Sequence, residues 1–185
     1  NSFGKVNSRV LAVWTKILQL VPGSRLLIHT CEGGHRRMLA DLFNREGVDP
    51  ARLEFASRVS TKKYFQFYNS IDIALDPFPF AGGTTTCDAL WMGVPVVTLA
   101  GHTPISRGGV SILSNLGLQE MIAHSPEEYA AIAVSLAGDL PRLAQFRSQM
   151  RDRMRASPLM DEEKYVTDLE SAYRMMWQSW CKSRR

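Results

Sequence analysis

The sequence predicts an α/β domain in which a parallel sheet is flanked by helices, and three observations carry that expectation. Short continuous apolar runs recur at 24–30, 53–56, 71–75 and 95–99, the pattern of strands covered on both faces. Stretches with apolar residues at helical spacing separate them. Glycine and proline punctuate the junctions, as at Pro22-Gly23, Gly33-Gly34, Gly47 and Gly93.

Val10, Leu11, Trp14, Ile17, Leu18 and Val21 repeat at helical spacing behind Ser8, the expected N-cap, and Pro22-Gly23 ends the run. Leu26-Leu27-Ile28 forms the heart of the first strand. Gly33-Gly34 opens a helix through Met38, Leu39, Leu42 and Phe43, and Leu53 to Ala56 is the second strand. Thr61 to Asn69 reads as helix and Ile71 to Leu75 as the third strand. After a proline- and glycine-rich loop, Thr84 to Met92 is helical and Pro95 to Leu99 is a buried strand. Ser106 to Asn115 is expected as helix and Glu120 to Ala123 as a last short strand. Ser125-Pro126-Glu127-Glu128 gives an N-cap, a first-turn proline and an acidic start to a further helix. Beyond it the chain reads as helix, over Leu140 to Ala156 and Asp161 to Trp180. A break at Ala156-Ser157-Pro158 divides a lobe at 1–156 from a C-terminal helical segment at 157–185. Tyr165, Leu169, Tyr173, Met176 and Trp180 make one stripe on the last helix, expected to pack on the sheet or on a neighbouring lobe.

A chain of 185 residues, 45% hydrophobic, suits one core. Its longest apolar stretch, Pro95 to Ala100, is too short to span a bilayer, and Asn1-Ser2 with Lys5 and Arg9 is no signal peptide. Three widely spaced cysteines fit neither a disulfide framework nor a zinc site. A soluble, cytoplasmic protein is the expectation. The formal charge of +4 permits an anionic ligand, but the basic residues are scattered and not interleaved with aromatics, which argues against nucleic acid. His29, His35 and His124 share no metal-ligand spacing, so no metal is expected.

Ligands of open parallel sheets bind at the carboxyl ends of strands. The loop after the third strand, Asp76-Pro77-Phe78-Pro79-Phe80-Ala81-Gly82-Gly83-Thr84-Thr85-Thr86-Cys87-Asp88, is the candidate. Its glycines let backbone approach a ligand, and threonines at a helix start offer hydroxyls, unpaired N–H groups and partial positive charge, a setting for phosphate. Asp88, one turn in, suits ribose hydroxyls or merely compensates the helix dipole. Cys87 lacks a His-Asp or His-Asn setting and reads as packing, and His102 as a solvated loop residue. With no G-x-G-x-x-G and no P-loop motif, dehydrogenase and P-loop readings lose their main support.

The run from Leu75 to Thr98 resembles the donor-site segment of the O-linked N-acetylglucosamine transferase and SPINDLY family. The resemblance extends to Lys5 nine residues before Trp14, to Arg52-Leu53-Glu54-Phe55, to Arg107 to Leu113 and to Leu169-Glu170-Ser171-Ala172-Tyr173, and so covers essentially the whole chain. It implies the second, Rossmann-like lobe of a GT-B glycosyltransferase, with a first catalytic lobe and tetratricopeptide repeats as absent partners. It further implies an inverting transfer from a nucleotide sugar to Ser or Thr hydroxyls of a protein. By position, Lys5 matches the family lysine at the donor phosphates and is the catalytic candidate for the leaving diphosphate. Gly83, Thr84 and Thr85, with Thr86 beside them, match the segment under the pyrophosphate, and Asp88 the carboxylate at the ribose. Val59 falls where backbone meets the base and Tyr64 where a side chain packs on it. From its place near a helix start beside Gly108-Gly109, Arg107 either aids the diphosphate or simply pairs with a carboxylate. Gly83 stands where the animal enzyme has histidine, Tyr64 replaces a base-packing histidine, and Thr61 replaces a basic residue. Tyrosine still stacks on a base. The resemblance leaves UDP-GlcNAc as first choice of donor, GDP-fucose as the alternative of the SPINDLY branch, and a non-catalytic nucleotide-binding or interaction module as a third reading.

Overall fold

A computed structural model of the chain describes residues 1–183. It is a sequence of helices and short parallel strands whose order follows the apolar pattern. Helix α1 (Ser8–Leu20) leads to β1 (Leu26–His29), α2 (Gly34–Arg45) to β2 (Leu53–Ala56), and α3 (Thr61–Phe67) to β3 (Ala74–Leu75). Then α4 (Thr84–Trp91) precedes β4 (Val96–Leu99), and α5 (Gly108–Asn115) precedes β5 (Ile122–Ala123). The chain ends in α6 (Pro126–Ala137), α7 (Leu140–Arg155) and α8 (Glu162–Ser183).

The strands form two parallel sheets, β1-β2 and β3-β4-β5. Leu26 pairs with Leu53 in the first, and Ala74 with Val96 and Thr98 with Ile122 in the second. The expected strand at 71–75 shrinks to Ala74–Leu75 because a strand is defined by its neighbours: Ala74 N–H donates to Pro95 at 2.8 Å and Asp76 N–H to Val97 at 3.0 Å, whereas among the described residues the other edge of β3 has no strand beside it. Glu120 falls in a single 3-10 turn, Gln119–Met121, rather than in β5. Ser106 lies likewise in a 3-10 turn, Pro104–Arg107, that enters α5.

The α1 cap is Asn7, not Ser8. Its side-chain oxygen accepts from Arg9 N–H at 3.0 Å and Val10 N–H at 3.2 Å, satisfying two first-turn donors. Ser125 caps α6 as the sequence predicts, accepting from Glu128 N–H at 3.1 Å. One core joins the layers: Val10 and Leu18 of α1, Phe43 of α2, Leu90 of α4, Val97 of β4, Leu113 of α5, Tyr129 of α6 and Met150 of α7 are all buried. Each such apolar side chain contributes about 1.5–3 kcal/mol by leaving water.

Arginines tie the connections to the layers through backbone carbonyls. Arg52 donates to Leu18, Val21 and Ser24 carbonyls at 2.7–2.9 Å, closing the carboxyl end of α1. Arg147 holds Tyr68 and Ile71 carbonyls at 3.1 and 2.5 Å, and Arg153 those of Leu116 and Gly117 at 2.6 and 2.7 Å. The last helix behaves differently. It buries none of its residues, and the stripe of Tyr165, Leu169, Tyr173, Met176 and Trp180 is exposed rather than packed on the sheet.

Gly93 ends the turn between α4 and β4 with φ +78°, and a Cβ there would stand 2.6 Å from the Arg147 backbone oxygen. A Gly93→Ala variant meets both left-handed strain and a backbone clash. It should lose roughly 2 kcal/mol, seen in urea unfolding as a lower midpoint at unchanged slope.

Candidate functional site

The carboxyl ends of β1, β2 and β3 open into a cavity whose mouth is bordered by Asn1, Thr30, Val59, Tyr64, Thr85 and Thr86. At its centre is Asp76, the first residue after β3, 2% exposed. Asn1 Nδ2 donates to its Oδ1 at 3.1 Å, and Thr86 Oγ donates to the same carboxylate at 3.1 and 3.3 Å. Backbone closes around it: a Cβ on Gly82 would come 2.5 Å from Oδ1, and one on Gly109 2.8 Å from Oδ2. Both positions need glycine because the Asp76 carboxylate and the Thr86 and Thr98 hydroxyls, closer still to the two Cβ positions, take the space a side chain would fill. Burial pushes the Asp76 carboxyl above its usual range, against the opposing pull of the hydrogen bonds from Asn1, Thr86 and the Gly82 backbone.

This buried acid fixes the loop beneath the mouth. Tyr129 of α6 donates its hydroxyl to the Asp76 carbonyl at 2.9 Å, and its ring packs edge-on against Phe78. Asn7 Nδ2 donates to the Phe78 carbonyl at 2.6 Å. With the loop so held, Gly83 caps α4 and the helix start presents the exposed Gly83 and Thr84. The first N–H groups of a helix have no partner within it, so this end can receive negatively charged oxygens.

Lys5 reaches the same place from the turn before α1. Its Nζ donates to the Ala81 carbonyl at 3.0 Å and to Asn1 Oδ1 at 3.2 Å, and lies 4.1 Å from the centre of the Phe80 ring. Thr85 Oγ donates to Asn1 Oδ1 at 2.9 Å, so one amide joins Lys5 to the threonine helix. On the other side, Tyr64 donates its hydroxyl to Asp88 Oδ2 at 2.8 Å and shares a 2.7 Å bond with Tyr68. Burial raises the Tyr64 phenol strongly, and the bonds to Tyr68 and Asp88 add to it, so both tyrosines stay neutral donors at ordinary pH.

Val59, Tyr64, Thr85 and Thr86 thus border the mouth, Lys5 and Asp88 are tied to it through Asn1 and Tyr64, and Gly83 and Thr84 lie at the exposed start of α4. Arg107 stands apart: its guanidinium is exposed and donates to the Gly101 carbonyl at 3.2 Å, although the following Gly108 abuts the Gly82 carbonyl. Three contributors escape the sequence reading: Asn1, Tyr68 and Asp76. Asp76 carried one signal, its place at the carboxyl end of a strand, but its burial is set by glycines six and thirty-three residues away. Cys87, half-buried, has its thiol pushed up by burial and next by Asp88, the opposite of an activated nucleophile. Among the described residues, no group of three or more His, Cys, Asp and Glu is placed to hold a metal, and no helix is long and apolar enough to cross a membrane.

A cleft at the carboxyl edge of a parallel sheet, floored by a glycine-threonine helix start with a lysine above it, defines a Rossmann-like ligand-binding lobe. The comparisons narrow that class. A family model described as glycosyl transferase family 41 matches residues 1–169. A rice protein (Oryza sativa subsp. japonica) named "Probable UDP-N-acetylglucosamine–peptide N-acetylglucosaminyltransferase SPINDLY" is 40% identical over 98% of the chain. A Caenorhabditis elegans protein named "UDP-N-acetylglucosamine–peptide N-acetylglucosaminyltransferase" is 31% identical over 96%. A solved mutant of an O-GlcNAc transferase from Thermobaculum terrenum superposes with a TM-score of 0.89 over 98% of the chain at 37% identity. The chain belongs to glycosyl transferase family 41, and its fold is that of the second lobe of a GT-B enzyme. It spans 20% of the rice protein, 16% of the nematode protein and 35% of the solved chain.

The raised Asp76 pKa has a thermodynamic consequence. A carboxyl whose folded pKa exceeds its unfolded one stabilises the fold fully below the unfolded value, and that contribution is lost as pH rises through the folded value. Urea unfolding from pH 4 to 8 should therefore show wild-type stability falling relative to Asp76→Asn as pH rises. Parallel curves for the two proteins would contradict the buried, raised acid.

Proposed function

We propose that the chain is the donor-binding half of a protein O-glycosyltransferase that moves N-acetylglucosamine from UDP-GlcNAc to Ser or Thr hydroxyls with inversion. The observation that carries this reading is the convergence of Lys5 and the Thr84–Thr86 helix start on one mouth, tied by the Asn1 amide. As the anomeric bond breaks, negative charge grows on the leaving diphosphate. The Lys5 ammonium and the α4 amino end are placed to meet it, with Gly83, Thr84, Thr85 and Thr86 around the pyrophosphate. Positive charge already in position costs no reorganisation when the charge develops. Asp88 receives the ribose hydroxyls, Tyr64 packs on the base, Val59 offers its backbone to the base, and Arg107 swings from Gly101 toward the diphosphate.

The printed names of the relatives support UDP-GlcNAc as donor, and none of those quoted supports GDP-fucose. The further catalytic groups and the acceptor site belong to a preceding lobe, with repeats before it. The exposed stripe of α8 supports a helix that packs on that lobe. The cytoplasm is the compartment that suits three free cysteines. By itself the chain should bind donor and show negligible turnover.

Titration of UDP and of GDP into the purified chain, followed by ligand-observed NMR, tests the site. UDP should bind more tightly than GDP, and Lys5→Ala and Thr85→Ala should each weaken it about tenfold, the loss of one charge-assisted or buried hydrogen bond. GDP preference would move the donor to the fucose branch. Failure of both nucleotides at millimolar concentration, in folded protein, would overturn the residue roles and leave an interaction module.

A further inference from the structure

Beside the mouth, three side chains form a chain whose proton order follows from the distances. Tyr64 of α3 and Tyr68, which opens the 3-10 turn after it, stand four residues apart, so they share a face and their hydroxyls meet at 2.7 Å. The Tyr64 hydroxyl lies 2.8 Å from Asp88 Oδ2, and the Tyr68 hydroxyl 3.4 Å from the Thr85 carbonyl oxygen. Each phenol has a single proton to give. An ionised carboxylate can only accept, and it is the strongest acceptor of the group, so the Tyr64 proton goes to Asp88. Tyr64 then accepts from Tyr68, and the Thr85 carbonyl is left as a weak second partner. The order of donation is Tyr68 to Tyr64 to Asp88.

Rigidity falls off in the same direction. Tyr68 is 8% exposed, its ring meets that of Tyr64 edge-on at 5.4 Å, and its backbone carbonyl accepts from Arg147 of α7 at 3.1 Å. Tyr64 is half-buried, with its side chain on the wall of the cavity. Asp88 ends the chain, one turn into α4. The terminal torsion of an aspartate is soft, so its carboxylate turns freely unless one oxygen is held. Here Oδ2 is held from the core side, and among the described residues no hydrogen bond reaches Oδ1. One oxygen fixes the orientation and the other is left as an acceptor.

We propose that Tyr68 is a positioning residue that makes the site select ribose: through the Tyr64 hydroxyl it sets the Asp88 carboxylate with Oδ1 free to accept from a sugar hydroxyl of a ribonucleoside diphosphate. The inference rests on the ribose role proposed above for Asp88. Tyr68 acts only through Tyr64, whose ring stays available to the base. An acceptor oriented before the ligand arrives loses less freedom on binding, so the relay favours nucleotides that carry the hydroxyl over those that lack it.

The test compares UDP with its dideoxy form, which lacks both ribose hydroxyls, by ligand-observed NMR titration into the purified chain. Wild type should prefer UDP. Tyr68→Phe keeps the ring and its packing, with thermal unfolding as the check on the fold, and should weaken UDP about fivefold, the share of one hydrogen bond. Binding of the dideoxy form should stay within about twofold of wild type. Tyr64→Phe, which also keeps its ring, should show the same split. Adding Tyr68→Phe to Asp88→Ala should change UDP binding no further, because the relay then has nothing to orient. Equal weakening of both nucleotides by Tyr68→Phe marks a general packing defect and would overturn the proposal, as would unchanged UDP binding in that variant while Asp88→Ala weakens it. UDP binding that ignores both Asp88→Ala and the loss of the hydroxyls would remove the ribose role itself, and the proposal with it.

Discussion

The site depends on one carboxylate kept out of water. Asp76 sits where β3 ends, and two glycines, a threonine hydroxyl and an asparagine amide occupy the space around it. Its carboxylate fixes the start of α4 through Thr86, and its carbonyl fixes α6 through Tyr129. A buried acid is costly to place and costly to leave unpaired, so the surrounding backbone has little freedom to rearrange. The amino end of α4 inherits that rigidity. The Lys5 ammonium and the Asp88 carboxylate are accordingly at the edge of the constellation, and the group that organises them is hidden behind.

Two bonded groups of side chains meet at α4. One runs from Asp76 through the Asn1 amide to Lys5 and Thr85, the other joins Asp88, Tyr64 and Tyr68, whose hydroxyl reaches the Thr85 carbonyl. The first carries a positive charge and the second a negative one. Under the proposed reading that division matches a nucleoside diphosphate, anionic at the phosphates and hydroxyl-bearing at the ribose.

Much of this was legible in the residues. The strand and helix alternation followed from apolar runs and their glycine punctuation, and Ser125-Pro126 announced α6 without help from tertiary structure. The glycine-threonine loop was legible as a candidate anion site because its physics is local: turn, helix start and dipole lie within a dozen residues. What was not legible is what depends on distant sequence. Asp76 looks in the sequence like any acid before a proline, since only Gly82 and Gly109 folded against it reveal its burial. Asn7 displaced Ser8 as the α1 cap because its amide also reaches Phe78, seventy-one residues away. The α8 stripe shows the converse limit. Periodicity gives a face its apolar character but not its partner, and here the sheet was the wrong surface.

The arginines that hold backbone carbonyls have a consequence for ionic strength. The ion pairs between side chains, such as Arg25 with Glu54 and Arg142 with Glu120, are largely exposed, where mobile ions weaken them. Arg52, Arg147 and Arg153 instead bind neutral carbonyl oxygens at short range, against the surface of the domain. Dissolved salt has no opposite charge to displace there. The lobe's helical connections are thereby fastened by cations in a way that a saline medium leaves largely intact.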